Sequence, residues 1–156
     1  MTDIRTILEF EEGRRHSAYK CTKGFWTIGV GHRLTDRELE KLDDVLTDQD
    51  INRLLDSDIE ETVAAAKRYF YWFPKLNEPR QAVILSMIFQ LGVIGLNRFV
   101  ATLKLIAKGQ YEAAADHMLS SLWARQTPAR AKRQAEQFRT GKWHNDYINF
   151  KIEKNR

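Results

Sequence analysis

The stretch FEEGRRHSAYKCTKGFWTIGVGH, Phe10–His32, decides the fold of the first part of the chain. Its first letters complete an apolar pattern with helical spacing over about residues 3–12, and Gly13 follows as a stop for that helix. Aromatic and β-branched residues beyond it predict a pair of strands over about residues 18–30. The letters TKG separate the strands, and Gly24 supplies the positive φ of a tight turn. We therefore expect a helix followed by a β-hairpin.

The rest of the chain has the pattern of helices. Thr47 is a suitable N-cap for a long helix that we expect to end near Phe70, with an apolar stripe on one face and charges on the other. Such a half-exposed helix is typical of a connector between two lobes. Four further helices are predicted, at about 79–91, 96–107, 110–122 and 128–139. The predicted class is α+β, with a small sheet-bearing lobe followed by a larger all-helical lobe.

Composition narrows the class of protein. The 156 residues, 43% of them hydrophobic, are enough for one domain with a real core. No apolar run approaches the roughly 18 residues of a membrane span. The first residues lack the apolar core of a signal peptide, so we expect no encoded export route. The single cysteine cannot form an internal disulfide, which fits synthesis in a reducing compartment.

The net charge of +4 favours an anionic partner such as nucleic acid, a lipid surface or a cell-wall polymer, although ordinary solubility explains it as well. Basic residues concentrate near the C-terminus, where Trp123 and Trp143 flank them. This basic cluster has three interpretations: a solvated helix face, a phosphate-binding stripe or one wall of a cleft. The cluster consists of Arg125, Arg130, Lys132, Arg133, Arg139 and Lys142.

Two familiar ligand motifs are incomplete. Gly29 and Gly31 form a G-x-G, but Leu34 stands where a dinucleotide-binding motif has its third glycine. The two glycines instead favour a strand end that approaches another backbone closely. A zinc site built from Cys21 and His32 would lack two ligands, so we expect neither a metal nor a cofactor.

Three side chains in the opening stretch have competing interpretations. Cys21 is an inert small hydrophobe, or it forms a thiol–imidazole nucleophile pair with His16 or His32. His32 is otherwise expected to pair with a carboxylate on a neighbouring element, with Asp58 as one candidate. Glu12 is a solvated residue at a helix end, or it points into a cleft where desolvation favours the protonated carboxyl of a general acid.

The same stretch resembles the phage-type lysozymes, the muramidases of T-even-like phages that form glycoside hydrolase family 24. The segments MIFQLGVIGLNRF (Met87–Phe99) and WARQTPARAKRQAEQFRTGKW (Trp123–Trp143) resemble later segments of that family, in the same order. The resemblance covers nearly the whole chain. It implies a two-lobed lysozyme fold in a single domain, residues 1–156. The implied parts are an N-terminal lobe (about 12–58), a connecting helix (about 48–70) and a C-terminal lobe (about 71–156) on which helix 1–12 packs.

The resemblance also implies an activity, hydrolysis of the β-1,4 bond between N-acetylmuramic acid and N-acetylglucosamine in peptidoglycan. Glu12 matches the general acid, and Thr27 matches the threonine that helps to place the catalytic water. Cys21 stands where the family normally has an aspartate as its second catalytic residue. The implied substrate-binding residues are Arg33, Phe89, Thr102 and His117, of which Arg33 and His117 depart from the family in residue type. The implied supporting residues are His32, Asp58, Gln90 and Arg130, with Arg130 as an ion-pair partner of Glu12.

The implied partner is bacterial peptidoglycan. We expect a monomer with no nucleic-acid partner and no stable membrane insertion. It is expected to accumulate in the host cytoplasm and to reach the wall through a separate holin-type membrane lesion. Three alternatives stay open: a cell-wall amidase or peptidase that uses Cys21 with His32, a nucleic-acid-binding module that uses the basic cluster, and a wall-binding protein without catalysis.

Overall fold

The chain begins with helix α1, Ile4–Glu12, in a computed structural model that describes residues 2–42 and 45–156. Asp3 caps it, because the Asp3 carboxylate accepts a hydrogen bond from the Thr6 amide at 2.9 Å. Gly13 ends the helix with a φ of 74°. The helix therefore places Glu12 on its last turn. Met1, Asp43 and Asp44, which fall within the predicted domain, lie outside the described residues.

Three short antiparallel strands follow, in the order β1-β2-β3. They are β1 (Arg15–Lys20), β2 (Trp26–Gly29) and β3 (His32–Arg33). The predicted turn is confirmed, since Gly24 has a φ of 84° and its amide donates to the Cys21 carbonyl at 2.8 Å. The predicted strand start at residue 18 is wrong because pairing begins at Arg15, and β3 was not predicted.

The register of the sheet decides which side chains share a face. Tyr19 lies opposite Thr27, and Thr27 lies opposite Arg33. Because directly opposed residues project to the same side, these three form a row on one face of the sheet. Ile28 projects to the other face and is fully buried.

Two helices with capping boxes complete the N-terminal half, α2 (Asp36–Lys41) and α3 (Asp48–Tyr69). Thr47 caps α3 as predicted, and the helix ends one residue before Phe70. Helix α2 was not predicted. A small apolar cluster packs α3 against the sheet and α1, and its buried members are Leu8, Val30, Ile51 and Leu55.

The C-terminal half is helical within the part that the structure describes. Its helices are α4 (Glu78–Asn97), α5 (Val100–Ala107), α6 (Tyr111–Leu119), α7 (Leu122–Gln126), α8 (Pro128–Thr140) and α9 (Asn145–Lys154). The prediction of a helix over 128–139 is confirmed. The helix predicted at 96–107 begins later, at residue 100, and the one predicted at 110–122 is two shorter helices. Helix α9 was not predicted.

Helix α4 forms the centre of the larger core, where Val83, Ile84 and Met87 are fully buried. Its mean hydropathy is 1.4, and by length and composition alone it is long and apolar enough to cross a membrane. The same properties are expected of a helix that other helices surround. Gly92, with a φ of 73°, interrupts its helical geometry near the C-terminal end.

Helix α1 packs on the helical half of the molecule rather than on the sheet alone. Its Ile7 shares a buried cluster with Ala82 of α4 and Tyr147 of α9. A mostly helical chain with one small sheet near its N-terminus confirms the predicted α+β class. The arrangement brings the end of α1 between the sheet and the C-terminal helices.

Candidate active site

Glu12, the last residue of α1, forms an ion pair across the molecule. The Nη1 atom of Arg130, on α8, donates to Glu12 Oε1 at 2.7 Å. The Glu12 side chain is 22% exposed and that of Arg130 is 10% exposed. The interpretation of Glu12 as an ordinary solvated residue is therefore wrong.

A buried polar group holds Arg130 in this position. Its Nη2 atom donates to Ser86 Oγ at 2.9 Å, and Gln134 Nε2 donates to the same hydroxyl oxygen at 2.7 Å. Ser86 and Gln134 are both fully buried. Because buried polar groups are costly to leave unpaired, this arrangement restricts where the guanidinium can sit. It thereby fixes the direction from which the Arg130 guanidinium approaches the Glu12 carboxylate.

Gly31 provides the space that the Glu12 side chain occupies. A Cβ atom at Gly31 would lie 2.9 Å from Glu12 Cγ and 3.0 Å from Glu12 Oε2, and the φ of Gly31 is +65°. Gly29 lies similarly close to Ile51, because a Cβ atom added at Gly29 would lie 3.4 Å from Ile51 Cγ2. The prediction that these glycines allow contact with another backbone is therefore wrong. Both make room for side chains.

The neighbouring Glu11 belongs to a separate buried cluster. Arg133 Nη2 donates to Glu11 Oε1 at 2.6 Å, and the Tyr147 hydroxyl donates to Glu11 Oε2 at 2.9 Å. The Glu11 side chain is only 3% exposed. Burial first, and then the charge of Glu11, raise the pKa of Tyr147 well above its ordinary value. These contacts fasten α1 to α8 and α9 beside Glu12.

Cys21 lies at the start of the hairpin turn and is partly exposed. A hydrogen bond from the Phe25 backbone is the largest cause that lowers the pKa of its thiol. The Lys23 backbone, the Thr27 hydroxyl and the charge of Arg33 lower this pKa further, while burial opposes them. Thr27 is buried, and its hydroxyl donates to the Phe25 carbonyl at 3.0 Å. The hairpin therefore brings Cys21 and Thr27 together and favours the thiolate.

Tyr19 is a site residue that the sequence analysis missed. It lies directly opposite Thr27, and the Arg15 guanidinium sits 4.9 Å from its ring centroid. Burial raises the pKa of Tyr19, and the charge of Glu12 is the next cause, with Cys21 as a smaller one. The phenol is thus within electrostatic reach of both side chains. The alternation of residues along β1 places Tyr19 on the same face as Cys21 and was the signal available in the sequence.

His32 is bound on both ring nitrogens. Its Nδ1 lies 2.8 Å from Asp58 Oδ2, as predicted, and its Nε2 lies 2.9 Å from Glu38 Oε2. The hydrogen bond to Asp58 is the largest cause that raises the pKa of His32, and burial opposes it. Neither nitrogen is left to accept a proton from a thiol. This geometry disfavours the alternative in which Cys21 and His32 form the catalytic pair of an amidase.

A cavity of about 910 Å³ lies between β3, α3 and the helices α4 to α7. Among the predicted residues, those that line it are Arg33, Phe89, Thr102, His117, His32, Asp58 and Gln90. Glu12, Cys21, Thr27 and Arg130 do not line it. Gly31 connects the two groups, because it lines the cavity and contacts the Glu12 side chain. The lining includes the basic residues Lys23, Arg33 and Arg98 and the acidic residues Asp58 and Glu61.

A buried tryptophan, Trp123, lines the cavity and hydrogen-bonds a second lining residue, Gln90. Trp123 Nε1 donates to Gln90 Oε1 at 2.8 Å, and Trp123 is 4% exposed. Trp123 is therefore a core residue, and Gln90 is oriented by it. Among residues 2–42 and 45–156, no group of three His, Cys, Asp or Glu side chains is placed to hold a metal ion.

The basic cluster does not form a continuous phosphate-binding stripe. Arg130 and Arg133 pair with Glu12 and Glu11, and Arg139 Nη2 donates to Asp116 Oδ1 at 2.7 Å. Three of its cations are thus committed to internal ion pairs. The nucleic-acid-binding alternative loses its main support.

A sequence model of the family described as Phage lysozyme matches residues 9–137. The chain belongs to the phage lysozyme family. The matched region begins in the last turn of α1, includes the sheet and ends within α8, and so contains Glu12, Cys21, Thr27 and Arg130. Membership identifies this phage lysozyme as a glycosidase, a muramidase-type hydrolase of the cell wall.

Several curated proteins are similar to this phage lysozyme along most of its length. Probable T4-type lysozyme 1 of Dictyostelium discoideum is 27% identical over 163 aligned residues, which cover 90% of this chain and 96% of that protein. Probable T4-type lysozyme 2 of the same organism is 25% identical with the same coverage. The pre-baseplate central spike protein Gp5 of Enterobacteria phage T4 is 28% identical over 148 residues, 81% of this chain but 26% of that protein.

Proposed function

We propose that this phage lysozyme hydrolyses the β-1,4 bond between N-acetylmuramic acid and N-acetylglucosamine in bacterial peptidoglycan. The observation that carries the proposal is the position of Glu12. Its carboxyl is held by Arg130 at 2.7 Å and packs against Gly31, which lines a cavity large enough for several sugar rings. A carboxyl fixed directly behind a glycine that lines such a cavity is placed for proton transfer to a glycosidic oxygen.

Glu12 is the proposed general acid. When it donates its proton to the leaving oxygen, it becomes a carboxylate beside the Arg130 guanidinium. The positive charge stabilises this carboxylate, and the buried contacts of Arg130 with Ser86 keep the pair aligned during the reaction. Arg130 acts through Glu12 and is therefore a positioning residue.

Cys21 is the proposed second catalytic group, and its lowered pKa supports a role as thiolate. As thiolate it acts as the base that activates water, or as the nucleophile that attacks the sugar carbon. In a third version it only leaves space for a water molecule that Thr27 holds. Thr27 suits this task because the hydrogen bond from its hydroxyl to the Phe25 carbonyl holds that hydroxyl in place.

Four cavity residues are the proposed contacts with the glycan, Arg33, Phe89, Thr102 and His117, all of which line the cavity. Arg33 carries a charge that suits a carboxylate on the stem peptide of the wall polymer. Phe89 and the basic side chains of the lining offer an apolar surface and hydrogen-bond donors within one cavity, as sugar rings require.

We also propose that the protein acts on peptidoglycan as a monomer. Its release from the host cytoplasm through a separate membrane lesion stays a prediction. Expression with and without a membrane-permeabilising protein tests it, because lysis of the culture is expected only when both are present.

Two assays test the proposed reaction. The protein is expected to clear suspensions of permeabilised cells, and the digested wall is expected to contain new reducing ends. New free amino groups without reducing ends would instead indicate an amidase. If the protein binds walls but neither clears the suspension nor cleaves glycosidic bonds, the wall-binding alternative is correct.

A conservative variant tests the role of Glu12. Glu12→Gln keeps the shape and a hydrogen-bond acceptor for Arg130 but cannot donate the required proton, so we expect wall lysis to be abolished while the protein stays folded. The matched control is Glu9→Gln on the same helix, because Glu9 pairs with Arg5 and Lys154 outside the cavity. Substantial lysis by Glu12→Gln would remove Glu12 from the acid role.

A further inference from the structure

The tip of the β1–β2 hairpin exposes two adjacent aromatic side chains. Phe25 is 47% exposed and Trp26 is 41% exposed. Trp26 begins β2 and Phe25 directly precedes it, so in extended chain their rings project to opposite sides. The turn residues Thr22, Lys23 and Gly24 are exposed as well. Aromatic surface is therefore exposed on both sides of the hairpin tip.

Each of these rings lies against a basic side chain. The Arg33 guanidinium is 4.2 Å from the Phe25 ring centroid, and the Lys20 ammonium is 5.4 Å from that of Trp26. Cation–π contacts of this kind keep both partners at the surface, because the ring is covered while the charge stays hydrated. The hairpin thus carries paired aromatic and cationic groups on both faces.

The charge of this segment has one sign. Residues 13–35 contain five Lys or Arg residues and no Asp or Glu. Arg14 is neutralised by Asp48, which its Nε approaches at 3.2 Å. Within the part of the chain that the structure describes, no carboxylate lies within 4.0 Å of the other four, which are Arg15, Lys20, Lys23 and Arg33.

We propose that this hairpin tip binds the surface of an anionic lipid bilayer. Indole and phenyl rings are stabilised at the level of the lipid headgroups, where one end meets acyl chains and the rest stays wet. The basic side chains that cover the rings in water can turn toward lipid phosphates at the same depth. The association is peripheral and goes beyond the hydrolysis of glycan proposed above.

The arrangement of the two rings favours a bilayer over a glycan strand as the partner. A single strand of sugars stacks on one face of an aromatic surface, whereas Phe25 and Trp26 face opposite ways. A headgroup layer surrounds a protruding tip and reaches both faces together. The cationic groups are likewise distributed over both faces, which suits a charged surface more than one linear polymer.

Co-sedimentation with vesicles tests the proposal without any wall substrate, so its outcome is independent of whether the protein hydrolyses peptidoglycan. The probes are vesicles of phosphatidylcholine alone and of equal amounts of phosphatidylcholine and phosphatidylglycerol. We expect binding to the anionic vesicles only, and release by high salt because exposed charges are screened. Equal binding to both vesicles, or to neither, would overturn the proposal.

Variants locate the binding surface. Phe25→Ser is expected to weaken binding to anionic vesicles. The double change Lys20→Gln with Lys23→Gln is expected to weaken it by about fivefold for each charge removed. Matched controls remove an exposed ring or two charges elsewhere: Tyr71→Ser, at a side chain 72% exposed, and Lys132→Gln with Lys142→Gln in the basic cluster. If the controls lose as much binding as the hairpin variants, the tip is not the site.

Two further readouts keep the proposal testable. Trp72 and Trp123 are only 5% and 4% exposed, whereas Trp26 is 41% exposed and Trp143 is intermediate. An aqueous quencher of tryptophan fluorescence therefore reports chiefly on Trp26. We expect anionic vesicles to shield Trp26 in the unmodified protein, even if a hairpin variant fails to fold. If hairpin variants bind vesicles normally but no longer sediment with purified walls, the partner is an anionic glycan and the lipid proposal is wrong.

Discussion

At the scale of single residues, the thiol of Cys21 leads to the first prediction. If its thiolate acts as base or nucleophile, the active form carries an ionised Cys21 and a protonated Glu12, so activity is expected to pass through a maximum as pH rises. The side of this profile that Cys21 sets is expected at lower pH than for an ordinary thiol, because the Phe25 backbone and the Thr27 hydroxyl lower the pKa of Cys21. The measurement is the pH profile of wall clearing, with and without prior alkylation of the thiol.

The control for Cys21 is its removal. Alkylation is expected to abolish activity, but a bulky adduct also blocks space at the hairpin. Cys21→Ala removes the thiol without adding bulk. Full activity in this variant would show that the position only leaves room for a water molecule beside Thr27.

Gly31 offers a second prediction at this scale. Gly31→Ala places a methyl group 2.9 Å from Glu12 Cγ, whereas Gly109→Ala, at a similar positive φ of +75°, meets nothing within 4 Å. Both variants are expected to lose about 1–2 kcal/mol of stability through backbone strain. Only Gly31→Ala should move the acid, and a displacement of the order of 1 Å is expected to cost about a hundredfold in rate. Equal activity of the two variants, measured by release of reducing ends, would contradict this.

At the scale of elements, His32 clamps α2 and α3 together through Glu38 and Asp58. Its folded-state pKa is raised, chiefly by the hydrogen bond to Asp58, so the imidazolium stabilises the folded state. This stabilisation is fully present below the ordinary histidine pKa of about 6.5 and is lost as pH rises through the raised value. We therefore expect the free energy of unfolding, measured with urea, to fall over this range.

Glu38→Gln isolates the contribution of the clamp. Glutamine keeps the capping contact with the Thr35 amide but not the charge that faces His32. The loss of stability with rising pH is expected to be smaller in this variant. If the pH dependence of the variant equals that of the unmodified protein, the ion pair with Glu38 contributes nothing.

The elements differ in how far the sequence predicts them. Helix α3 has a capping residue and a long apolar stripe, and both were enough to place it. Helix α2 has no buried residue, so it lacks a periodic pattern, although its Thr35 and Glu38 form the spacing of a capping box. Helix α9 buries only Tyr147, and its mixed pattern does not differ from that of an exposed tail.

In the site, features formed by residues close in sequence were predictable, whereas contacts between residues far apart in the chain were not. The end of α1, the hairpin turn and the partner of His32 follow from patterns and residue types. The contacts that hold Glu12 and Glu11 do not, because Arg130 binds Ser86 from 44 positions away and Tyr147 binds Glu11 from 136 positions away. Helical periodicity shows that a face is buried but does not identify the helix that buries it.

At the scale of the whole molecule, distant parts of the chain assemble one site. Helix α1 supplies the proposed acid, the sheet supplies Cys21 and Thr27, and α8 supplies Arg130. Most of the cavity wall comes from α4 to α7. Because α1 is fastened to the C-terminal helices while Gly31 of the sheet touches Glu12, a shift of the sheet relative to the helices changes the geometry of the acid.

The net charge of +4 leads to a prediction about the encounter with the wall. Bacterial walls are anionic, and a basic enzyme gathers on them by long-range attraction. Salt shortens the range of this attraction, from about 10 Å at 0.1 M to about 3 Å at 1 M. We therefore expect the rate of wall clearing to fall as salt rises. Cleavage of a short, uncharged chitin-type oligosaccharide should change little, because attraction to a surface plays no part in it.

A charge variant separates this attraction from effects of salt on the fold. Lys132→Gln with Lys142→Gln removes two exposed charges that take no part in the proposed chemistry. This variant is expected to clear walls more slowly at low salt and to approach the unmodified protein at high salt, where the attraction is screened in both. The unfolding midpoint in urea, followed across the same salt series, shows whether the fold is affected. Clearing that is independent of salt, with the fold intact, would show that the positive charge does not gather the protein on the wall.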